Sequence, residues 1–164
     1  MSTGRPEQRL GLDDVEESAW LQFDFVARAL HAVVNRELLE HHRLTLADVQ
    51  LLAHLKSHGP SQMGCLAEML MVTPSALTQQ AQRLERRGML RRCASHKDGR
   101  RVMAVITREG FTSATDALET YARLVRKHFL SEFSRRQMIA LGDSCRRIGT
   151  RLKATDSSFD LPDT

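Results

Sequence analysis

Pro74 marks a break that any fold of this chain must respect. Proline is tolerated at the first position of a helix and disrupts a helix interior. Here it sits in Met71-Val72-Thr73-Pro74-Ser75, directly after Thr73, whose hydroxyl can accept a bond from an unpaired first-turn N–H. Leu77, Ala81 and Leu84 then recur at spacings of four and three, which predicts one narrow apolar stripe. Ser75, Thr78, Gln79, Gln82 and Arg86 fall largely off that stripe, and Gly88 supplies a stop. Before the break, Met63, Leu66, Ala67 and Leu70 predict a short helix capped by Ser61. The result is a helix–turn–helix. Its second helix displays hydroxyls, amides and guanidiniums, which can bond to base edges and phosphates in a duplex groove.

A basic hairpin is expected next. Met89 to Ala94 and Arg101 to Ile106 read as short strands around the polar loop Ser95-His96-Lys97-Asp98-Gly99-Arg100, with its Asp-Gly turn signal. Arg91, Arg92, Lys97, Arg100 and Arg101 make it basic. The charge of the whole chain is only +4, but its distribution is uneven. Residues 61–110 hold nine Lys/Arg against four Asp/Glu, whereas the rest holds fifteen against sixteen. A basic excess confined to one element is what phosphate binding requires.

The flanks are helical. Asp13 and Asp14 precede Glu16 and Glu17 in a capping arrangement. Trp20, Phe23, Ala27, Leu30, Val34 and Leu38 then form a long stripe, widened by Phe25, Val26 and Val33. A helix apolar on more than one face generally has two partners. Thr45 caps a helix with Val49, Leu52 and Leu55 inward, ended by Gly59-Pro60. Thr107 starts another helix, with Phe111, Ala114, Leu118, Tyr121, Val125 and Phe129 as its stripe. Ser134 to Gln137 is a capping-box pattern opening a last helix through Met138, Leu141, Cys145, Ile148 and Leu152.

The central stretch resembles the winged helix–turn–helix of MarR-type regulators. Asp98-Gly99-Arg100, then Arg101 to Ile106, then Thr107-Arg108-Glu109-Gly110 stand in the register of the family's wing signature. Leu66-Ala67-Glu68 and Leu84-Glu85-Arg86-Arg87-Gly88 resemble its motifs in the two helices of the turn. Gln50 matches the glutamine of the family's Leu-Thr-x-x-Gln pattern in type but not in register. The resemblance covers roughly residues 13–153 and implies a mainly α fold with a small β-hairpin wing. A winged helix–turn–helix lobe (44–106) lies between dimerisation helices (13–42 and 107–153), with mobile tails at 1–12 and 154–164.

The implied protein is a cytoplasmic, nucleoid-associated homodimer. It binds double-stranded DNA at pseudo-palindromic operators, two readers meeting two half-sites. The expected DNA-binding residues are Ser75, Thr78, Gln79, Gln82, Arg83 and Arg86 on the helix, and Lys97, Asp98, Arg100 and Arg101 on the wing. Arg100 would enter a minor groove, with Asp98 orienting it. A small effector, largely apolar with one polar or anionic group, is expected where the Trp20–Leu30 helix meets the lobes. Arg28, His31 and His54 are its candidate handles.

Other classes fit less well. No Gly-rich phosphate loop, nucleophile elbow or zinc-protease motif suggests an enzyme. No run approaches eighteen apolar residues, and no export signal is expected at the N-terminus. Neither a cofactor nor a metal is expected. His54 and His58, four apart, with His41, His42 and His128 elsewhere, offer only dispersed ligands. Cys145 is expected in the core, Cys65 beside core positions, and Cys93 in a basic strand that would favour its thiolate. An architectural DNA-coating protein, or a thiol- or metal-responsive regulator, stands as the alternative.

Overall fold

The computed structural model describes residues 11–94 and 101–155. The element order is α1 (Asp14–His42), α2 (Leu46–His58), β1 (Ser61–Gln62), α3 (Met63–Met69), α4 (Pro74–Arg86), β2 (Leu90–Ala94), β3 (Val102–Ile106), α5 (Arg108–His128), a 3-10 turn (Leu130–Glu132) and α6 (Arg135–Thr155). The fold is mainly α with one small antiparallel sheet, as the sequence implies.

Helix starts follow their caps. Asp13 accepts from the Val15 and Glu16 N–H groups, and Glu16 accepts from the Asp13 N–H. Thr45 and Asp48 form the same reciprocal box at α2. The Leu46 N–H, a further unpaired donor of that first turn, goes to Asn35 Oδ1 at 2.8 Å and so fastens α2 to α1. Ser134 and Gln137 close the box at α6.

The core lies where α2, α3, α4 and α5 converge on the sheet. Leu51, Leu52, Leu66, Leu77, Leu84 and Ala104 are all fully buried. Each leucine contributes roughly 1.5–3 kcal/mol of transfer free energy. α1 joins this core only through its second half, with Val34 and Leu38 buried.

Three expectations need correction. Ser61 does not cap α3. Gly59 turns at φ +76, and the chain then runs extended, so Ser61 and Gln62 pair with Ala104 and Met103 of β3. The sheet therefore has three strands, in the order β1-β3-β2. Phe111 is not buried on its stripe: it is half exposed, with the Lys56 ammonium 4.9 Å from its ring centroid. Cys145 is exposed rather than core, because the apolar stripe of α6 is largely uncovered within this chain. The tails read as mobile fall almost wholly outside the described residues.

Candidate nucleic-acid interface

Thr73 and Pro74 open α4 as their chemistry requires. Thr73 Oγ1 accepts the Ala76 N–H at 3.2 Å, and Pro74 takes the first helical position. Leu77, Ala81 and Leu84 are fully buried. On the far side of the helix, Ser75, Gln79 and Arg86 are exposed and Gln82 is half-buried. These four expected residues share one outward face. Thr78 lies at its edge, and its hydroxyl is already donated to the Pro74 carbonyl at 2.8 Å.

Arg83 departs from this face. Its guanidinium turns back to Asp48 on α2, with Nη2 2.7 Å from Oδ1. Gln80, also buried, donates to the same oxygen at 3.3 Å. Asp48 is thus a buried carboxylate with its own helix cap on one oxygen and α4 on the other. Neither Asp48 nor Gln80 was singled out from the sequence. Thr45-x-x-Asp48 does carry the capping-box spacing, and Gln80 lies three residues after Leu77, on the buried side. Asp48, not Gln50, does the capping work; Gln50 is exposed.

The base of the wing is clamped to α4. Glu85 accepts the Arg92 backbone N–H at 2.8 Å and its Nε at 2.9 Å. That backbone bond first, and the guanidinium second, hold the Glu85 carboxyl below its ordinary range. Thr107 Oγ1 donates to the Gly88 carbonyl at 2.6 Å and accepts the Gly110 N–H at 3.0 Å. The Thr-x-x-Gly half of the wing signature therefore joins α5 to the end of α4. Arg87 likewise donates to the Arg43 carbonyl at 2.6 Å, fixing α4 to the α1–α2 corner. Arg101 is exposed and donates to Gln62 at 3.2 Å. Lys97, Asp98 and Arg100 lie outside the described residues.

The MarR family pattern matches residues 44–102, which take in α2, the helix–turn–helix and the first strand of the wing. The HTH-type transcriptional repressor MdtR of Bacillus subtilis (strain 168) is 33% identical over 98 residues, 58% of this chain. That match spans 63% of MdtR, less than two thirds of its length. AbsC, a MarR family transcriptional regulator from Streptomyces coelicolor, superposes with a TM-score of 0.81 at 26% identity, over 87% of this chain and 97% of AbsC. Residues 44–102 of this chain carry the MarR family pattern. Sco3205, a MarR family regulator from Streptomyces coelicolor solved in complex with DNA, has the same fold, with a TM-score of 0.82 at 24% identity over 86% of this chain and 93% of Sco3205.

Two apolar recesses lie elsewhere in the described structure. One, of about 430 Å³, runs between the first half of α1 and α6, past Phe23, Val26, Phe133 and Leu141. The other, of about 420 Å³, lies between α2, the end of α3 and α5, lined by Val49, His54, His58, Met71 and Tyr121. The three expected handles do not converge. His31 lines the first recess and His54 the second, while Arg28 is paired with Asp24 on its own helix. His54 stacks on His58 at 4.3 Å. Burial first, and His58 second, lower its pKa. His42 bonds Thr120, His41 faces Glu37, and among the described residues no group of three or more side chains is placed to hold a metal.

Proposed function

We propose that this chain is a homodimeric, sequence-specific repressor that reads duplex DNA with α4 and its wing and is released by a small molecule. One observation carries the reading. α4 is fully buried along Leu77, Ala81 and Leu84 and presents Ser75, Gln79, Gln82 and Arg86 outward, next to a basic hairpin. A helix held so firmly on one face, with amides and a guanidinium free on the other, is a major-groove reader. Arg100 and Lys97 would follow the backbone into the adjacent minor groove. MdtR is a repressor and Sco3205 has been solved with DNA, which supports assigning both properties here.

Dimerisation is inferred from uncovered apolar surface. Trp20, Phe23, Ile139 and Ile148 are each more than half exposed. A soluble single chain rarely leaves so much contiguous apolar surface in water. A second copy, packing its own α1 and α6 there, would bury it and set two readers about one helical turn of DNA apart. Either recess suits a small, largely apolar effector. It would act only by binding the free spacing of the readers better than the DNA-bound one.

Selection from a randomised duplex pool, followed by footprinting, tests the reading. The expected result is a palindromic motif and a discrete footprint. Broad coverage without a motif would favour an architectural coating protein instead.

A further inference from the structure

Arg83 is the one arginine of α4 that the described structure turns toward the protein and away from the outward face. Its partner, Asp48, has a side chain only 1% exposed, whereas the Arg83 side chain is 48% exposed. The pair is therefore asymmetric. Arg83 can reach water without strain, but its departure would strand a buried carboxylate, and an uncompensated buried charge is strongly unfavourable. Gln80 and the Thr45 N–H stay on Asp48 in either case, yet neither carries a compensating charge. A phosphate competing for Arg83 must overcome this internal anion. Arg86, one turn further along, is exposed on the outward face, and no ion pair within the described residues holds it back.

We infer that Asp48 is a positioning residue for the reader: an internal anion that withholds Arg83 from DNA phosphates and so lowers the sequence-independent part of DNA affinity and its salt dependence. The inference rests on α4 being the DNA reader. Phosphate contacts bind every sequence alike, so one fewer such contact lowers affinity for operator and random duplex together. The same bond fixes the rotation of α4 against α2, and with it the aim of Gln79 and Gln82.

The test compares wild type, Asp48→Asn, Arg83→Gln and the double variant. Each is titrated with a short random-sequence duplex and with the duplex selected by wild type, across a salt series. Asparagine retains a carbonyl oxygen for the Thr45 N–H but no charge. Asp48→Asn is expected to steepen the salt dependence of random-duplex binding by about 0.9 in the log–log slope for each protomer that engages DNA, one added phosphate contact apiece. Across a fourfold rise in salt that is about a 3.5-fold greater loss of affinity for one protomer and about twelvefold for a dimer with both readers engaged. At low salt, affinity for the random duplex and for the selected duplex should rise together. Arg83→Gln alone should leave the slope unchanged, and the double variant should return to the wild-type slope. The double variant shares any loss of fold with Asp48→Asn but lacks the freed cation, so their difference isolates Arg83. A shallower slope for Arg83→Gln alone, or equal slopes for Asp48→Asn and the double variant, overturns the inference while leaving the DNA-binding reading intact. Failure of every protein to bind either duplex overturns both.

Discussion

A side-chain carbon on Gly110 would stand 1.9 Å from the carbonyl oxygen of Met89. That oxygen also accepts the Thr107 N–H at 3.1 Å, so it cannot move aside freely. The glycine of the wing signature is thus required by close backbone approach, where α5 begins against the strand leaving α4. Gly110→Ala should destabilise the fold by on the order of 3 kcal/mol, as overpacking against an immobile neighbour does. Equilibrium denaturation checks this, and a stability equal to wild type would remove the steric account.

The Glu85–Arg92 clamp gives a pH signature. The folded Glu85 carboxyl titrates below its ordinary value of 4.5. Its stabilising effect is therefore fully present above about pH 4.5 and is lost as pH falls through the folded value. Glu85→Gln should melt lower than wild type at neutral pH, and the gap should close as the solution is acidified. Partial exposure of both side chains keeps the gap small. A gap independent of pH would show that charge is not the source.

What could be read in the sequence, and what could not, divides by distance along the chain. The caps at Asp13, Thr45, Thr73, Thr107 and Ser134 depend on residues a few positions apart, and all five form. The buried stripe of α4 was legible for the same reason. The two-residue strand β1 was not, since its pairing is with β3, some forty residues away. Arg83 illustrates the limit most sharply. The sequence offers it as a DNA contact, but its partner lies 35 residues back and on another helix. Cys145 was misplaced because periodicity identifies an apolar stripe without saying whether the same chain covers it.

His54 and His58 make a second pH prediction, now for the recess behind α2. His54 titrates below 6.5 chiefly through burial and secondarily through His58. Neutral His54 thus stabilises the fold above about pH 6.5, and that contribution is lost as pH falls through its folded value. His58→Ala removes only the smaller cause. The His54 titration should then move part of the way back up, which imidazole NMR resonances measure directly. No movement would mean the stacked partner does not act on it.

Gln79 and Arg86 should separate the two kinds of DNA contact. Both are exposed on the outward face of α4, one an amide and the other a permanent cation. A glutamine amide can pair with adenine N6 and N7 together, worth roughly 1–3 kcal/mol of discrimination. Gln79→Ala should relax preference at one symmetric pair of operator positions in a selection experiment. Arg86→Ala should weaken all sequences alike and flatten the salt slope by about one contact for each protomer engaged. If Gln79→Ala leaves the selected motif unchanged, Gln79 is not a base reader.

The uncovered faces of α1 and α6 predict how stability depends on concentration. Ile148 is 59% exposed and Phe23 equally so, and both lie on stripes too apolar to be left in water. If a second copy covers them, folding and association are linked, and the melting temperature must rise with protein concentration. Ile148→Glu would place a carboxylate in that interface, where burying it without a partner is costly. The variant should sediment as a monomer and melt at a lower temperature that no longer depends on concentration. It should also bind a palindromic duplex far more weakly, because each reader then engages one half-site alone. A wild type that sediments as a monomer at micromolar concentration and still binds the palindrome with full affinity would contradict the dimer.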